Sequence, residues 1–91
     1  MSLSGVDVLG NRLLKEAKAV QAAYPDSVAM QDVLLGERPD AQAGDTVDAA
    51  RCRAVLGFVW DEATRVRDGK AQTLELLNDE IAYAEWLLSR L

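Results

Sequence analysis

Residues 73–91 read TLELLNDEIAYAEWLLSRL, a stretch in which Leu74, Leu77, Ile81, Ala84, Leu88 and Leu91 recur at alternating intervals of three and four residues. That alternation belongs to a helix laid lengthwise against another helix, so it predicts a long helix over residues 71–90 and demands a partner. The partner lies just upstream. Cys52, Leu56, Val59, Ala63 and Val66 repeat at four, three, four and three. Asp45 or Thr46 can cap that segment, Asp48 suits its first turn and Gly69 breaks it, which predicts a helix over 46–68. The short turn "RDGK" between the two predicts an antiparallel hairpin with a coiled-coil-like seam.

Working outward, Val6, Leu9, Leu13, Ala17, Val20 and Tyr24 form a stripe that predicts a helix over 6–24, stopped by Pro25. A short second helix is expected over 26–35, with Asp26 or Ser27 at its start, Val28, Val33, Leu34 and Leu35 as apolar contacts and Gly36 at its end. "GERPDAQAGD", residues 36–45, has no periodicity and reads as the main loop. The expected fold class is therefore all-α. It is a single domain over 1–91, a small helical bundle of two shorter N-terminal helices plus a long antiparallel helical hairpin. Met1 to Leu3 are given no structural weight.

Composition agrees with a packed soluble domain: 49% of residues are hydrophobic and 27% charged. Fifteen acidic residues against ten basic ones leave a net charge of −5, which repels a phosphate backbone, so nucleic acid is not an expected partner. No stretch has the ~20 apolar residues of a membrane span, and no basic region precedes an apolar run, so a cytoplasmic location is expected. The single cysteine, Cys52, allows no intramolecular disulfide and reads as a small core hydrophobe.

The chain has no histidine. That removes the commonest general base and the commonest transition-metal ligand, and with them Ser-His and Cys-His pairs. No phosphate-cradling glycine loop, GxSxG or CxxC occurs. Carboxylates remain, with Glu75, Asp79 and Glu80 on the last helix and Asp61 and Glu62 on the third. Because Glu75 and Asp79 lie off the apolar stripe, they read as a solvated face rather than a metal site, and no metal or other cofactor is expected. Arg65, Arg67 and Lys70 form the only basic cluster, at the C-terminal end of the third helix, where their charge favours the helix dipole.

Apolar residues exceed what one seam can bury. Val47, Ala50, Ala54 and Phe58 fall on the far side of the third helix, Leu76, Tyr83 and Leu87 flank the stripe of the fourth, and Trp86 lies near its back. Trp60 flanks the seam and is expected in the core, whereas Trp86 either packs on the first helix or meets another chain. Trp86, Tyr83, Leu87, Leu76, Phe58 and Ala54 are thus the candidate interface. The expected function is a small protein–protein interaction module of the adaptor, assembly-factor or chaperone kind, without catalysis, acting as a homodimer and binding another protein through an apolar helix face. The competing expectation is a ligand-binding or enzymatic protein with an inter-helix pocket, to which Tyr24, Tyr83, Arg51, Arg53 or the acids would supply polar groups.

If the seam is the core, Ile81→Asp buries an unpaired charge there. The variant should lose several kcal/mol of a total of about 5 to 10 and show no cooperative thermal transition by circular dichroism. A folded Ile81→Asp variant would refute the seam.

Overall fold

A computed structural model describes residues 5–90; Met1 to Leu3 and Leu91, the last member of the seam stripe, lie outside the described residues. The order is α1 (Val6–Ala23), α2 (Ser27–Met30), α3 (Val47–Arg67) and α4 (Glu75–Ser89), and no strand occurs among the described residues. The fold is all-α, a small helical bundle.

Each end of α3 has a local cause. Thr46 Oγ1 accepts from the Ala49 backbone N–H at 3.1 Å, so Thr46 rather than Asp45 is the cap. At the other end Gly69 takes φ 73°. Its N–H donates to Val66 O and the next N–H, of Lys70, donates to Arg65 O. This paired closure uses two carbonyls that the helix leaves open, and the left-handed angle favours glycine. α4 begins at Glu75, four residues later than the periodicity implies. The preceding carbonyl of Gln72 accepts the Tyr24 hydroxyl at 2.8 Å, which ties this stretch to the end of α1 instead of leaving it to a helical turn.

The core is the seam with α1 laid over it. Cys52, Leu56, Val59, Ala63 and Val66 of α3 and Leu77, Ile81 and Ala84 of α4 are all buried, as are Val6, Leu13, Leu14, Ala17 and Val20 of α1. The three long helices pack pairwise. Gly10 marks how closely: a Cβ there would come within 2.7 Å of a Leu88 methyl and 3.2 Å of a Leu56 methyl.

The second helix differs from expectation. It is one turn, Ser27–Met30, where 26–35 was read, and the irregular stretch correspondingly runs over 31–46 rather than 36–45. Asp26 does cap it, accepting from Ala29 N–H at 3.3 Å. Beyond Met30 the carbonyls that would continue a helix are taken by side chains of α3: Arg67 Nη1 donates to Val33 O at 3.2 Å and Trp60 Nε1 to Gly36 O at 3.0 Å. Buried Met30, Leu35 and Pro39 pin the same segment inward. A helix this short gains too little from its own hydrogen bonds to compete with those anchors. The segment is a strap across α3, completed by Arg38, whose guanidinium donates to both carboxylate oxygens of Asp61 at 2.8 and 3.0 Å.

The strap crosses α3 at Gly57, where an added Cβ would stand 2.8 Å from the Pro39 backbone carbonyl oxygen. Alanine normally stabilises a helix interior by about 1 kcal/mol over glycine. Gly57→Ala should instead lower stability by about 1 to 3 kcal/mol, because a backbone oxygen cannot move aside as a side-chain end can. Thermal melts of the two proteins check this, and a raised melting temperature would show that the strap yields.

Candidate protein-interaction surface

The outer side of α4 carries a second stripe. Leu76, Asp79, Tyr83, Trp86 and Arg90 again alternate at three and four residues, and all five are exposed. Leu76 is 54% exposed, Tyr83 49% and Trp86 51%. The Tyr83 and Trp86 rings lie stacked with centroids 6.0 Å apart and planes 13° from parallel. The Arg90 guanidinium carbon sits 4.6 Å from the Trp86 ring centre, so the indole lies between a phenol and a cation.

Phe58, 54% exposed, and exposed Ala54 lie on α3. Two points fix how α3 and α4 run past one another. Near one end the Glu80 carboxyl senses the charges of Glu62 and Asp61. Near the other, Trp86, Leu87 and Arg90 line an open recess of about 330 Å³ together with Asp48, Arg51 and Cys52. An antiparallel pair held at both points places Phe58 at about the level of Tyr83 along the helix axes.

Five of the six candidate interface residues, Trp86, Tyr83, Leu76, Phe58 and Ala54, are thus exposed and available to a partner. Leu87 is the exception. It is only 7% exposed and belongs to the core, because α4 packs against α3 as well as α1 and its buried arc is wider than a single seam. Trp86 lines its recess with residues of α3, not with α1. Trp60 packs against the core as expected, with its N–H used by the strap. Further exposed apolar side chains, Val8, Val28, Leu34 and Val47, are scattered over other elements.

Several of the groups considered for chemistry are engaged within the fold. Arg53 is buried against Asp45, with a closest N–O distance of 3.2 Å, and Tyr24 is bonded to Gln72. Arg65 pairs with Glu62 at 3.2 Å, and Arg67 with Asp68 at 3.1 Å as well as with the strap. Burial pushes the Cys52 thiol up, Asp48 adds to the effect and Arg51 opposes it, so Cys52 is a poor nucleophile. Among the described residues no group of three or more His, Cys, Asp or Glu is placed to hold a metal ion. Among the described residues no helix is long and apolar enough to cross a membrane. Arg38 and the strap were not legible in the sequence, because a lone arginine in a polar loop carries no periodic signal.

Compared with known proteins, the chain matches no family model, no curated protein and no solved structure.

The Glu80 carboxyl is pushed out of its ordinary range. Burial first, then the charges of Glu62 and Asp61, push it up from 4.5 to about 7. Between these two values the folded chain keeps a proton on Glu80 that the unfolded chain has lost, so stability falls as pH rises through that window and levels off above it. Glu80→Gln should therefore be more stable than the parent at pH 8, by on the order of 1 kcal/mol once solvent screening of this partly exposed side chain is allowed for, and the gap should close toward pH 5. Melting temperatures at the two pH values check this. An equal gap at both would show that the amide acts by packing alone.

Proposed function

We propose that this chain is a helical protein–protein interaction module of the adaptor, assembly-factor or chaperone kind, without chemistry of its own, that binds through the α3–α4 face. The observation that carries the reading is the half-exposed Tyr83–Trp86 stack, with Leu76 on the same stripe and Phe58 level with it. Aromatic side chains lose little conformational entropy when a partner covers them, and they are enriched at interface centres. Here they are already ordered by stacking and by Arg90, so binding has less freedom to remove.

A ligand-binding reading needs polar groups converging on an enclosed cavity. The grooves here are open. Tyr24 and Arg53, which would have supplied such groups, serve the fold. The face reading uses side chains that serve no evident purpose within the chain.

Tyr83→Ser combined with Trp86→Ser tests the proposal. Because both side chains are about half exposed, the double variant should keep its helical content and melt within a few degrees of the parent at low concentration. It should also lose association, measured by sedimentation velocity over a roughly hundredfold concentration range. A double variant as unstable as a core variant would assign the pair to the fold and overturn the reading.

A further inference from the structure

We infer that the occupant of this face is a second copy of the same chain, bound antiparallel along α4 about a two-fold axis passing between Tyr83 and Trp86. The inference rests on reading the face as an interaction surface and names its partner. It comes from the order of residues on the outer stripe. The stripe has the three-and-four alternation of a helix-pairing seam, and after Leu76 its members are Asp79, Tyr83, Trp86 and Arg90: an acid, two aromatics and a base. In an antiparallel pair centred between the aromatics, each layer joins two different members. Tyr83 meets Trp86 of the other copy, and Asp79 meets its Arg90, each pairing occurring twice. In a parallel pair each layer joins like with like, so Asp79 faces Asp79 and Arg90 faces Arg90. The face is complementary to its own reverse and repels its own parallel image.

The charges at the two ends are free for this purpose. On the flank of α4 toward α1, Glu85 is already paired with Lys18. On the outer stripe neither Asp79 nor Arg90 has an ion-pair partner among the described residues, and the Arg90 guanidinium lies over the Trp86 ring. Within one chain the two cannot meet, since eleven residues of helix separate them by about 16 Å.

The test is charge exchange on the full chain, read by sedimentation equilibrium at low and moderate salt, with circular dichroism confirming each variant's fold. The parent should dimerise, and more weakly as salt rises. Arg90→Glu and Asp79→Arg should each weaken the dimer by about tenfold, because each sets two like-charged pairs across the axis. The chain carrying both substitutions should recover most of the parent's association, since the reversed charges again meet their opposites across the interface. A dimer indifferent to the single exchanges, or one that the double exchange weakens further, would overturn the antiparallel arrangement; if Tyr83→Ser with Trp86→Ser still dissociates it, the face itself survives as the interaction surface. A parent that stays monomeric at all concentrations would overturn the second copy as occupant.

Discussion

The α3–α4 seam is the constraint from which the rest of the molecule follows. Each fully buried Leu, Ile or Val contributes about 1.5 to 3 kcal/mol relative to exposure, and Leu56, Val59, Val66, Leu77 and Ile81 are gathered there. Two helices alone leave one side of such a seam wet. α1 closes it, bringing Leu13, Leu14, Ala17 and Val20 over the groove and approaching closely at Gly10. Once α1 is committed to that side, no other helix remains to cover the opposite side. α2 is a single turn, and the strap is held to α3 near Gly57, Trp60, Asp61 and Arg67. The exposed aromatics of α4 are the consequence of covering a hairpin with one helix instead of two.

The parts of the fold legible in the sequence are those whose side chains repeat along a helix. The stripes of α1, α3 and α4 gave the core because burial on one face imposes a period that apolar residues record. The strap was not legible, since it is held by single donors, Trp60 and Arg67, reaching backbone carbonyls more than twenty residues away, and no periodicity encodes a bond of that kind. Leu87 was misplaced for a related reason. A stripe drawn for one partner is too narrow for a helix with two. Tyr83, Trp86, Leu76 and Phe58 were legible as surplus because they lie off any arc the chain itself could bury. The electrostatic closeness of Glu80 to Glu62 and Asp61 depends on how far α4 has slid along α3, which spacing within either helix does not specify.

Charge is divided by use. Arg38, Arg53, Arg65 and Arg67 each meet a carboxylate within the chain. The basic cluster near the hairpin turn, which a sequence alone presents as a patch, is thus largely spent on holding the strap and the helix end. Of the charges bordering the aromatic face, Asp79 has no ion-pair partner among the described residues, and the Arg90 guanidinium lies over the Trp86 ring. Five of the ten cations, Lys18, Arg38, Arg53, Arg65 and Arg67, are paired with carboxylates within the chain, whose net charge is −5.

The two tryptophans divide the molecule's optical signal in a useful way. Trp60 is clamped by its N–H to Gly36 and packed against the core, so its emission follows the strap and the fold. Trp86 stands half in water beneath a guanidinium, and its emission follows whatever covers that face. Unfolding releases both indoles, whereas occupation of the surface changes only one. With Trp60 replaced by phenylalanine, the remaining indole is a built-in gauge of whether the face is covered, requiring no attached dye.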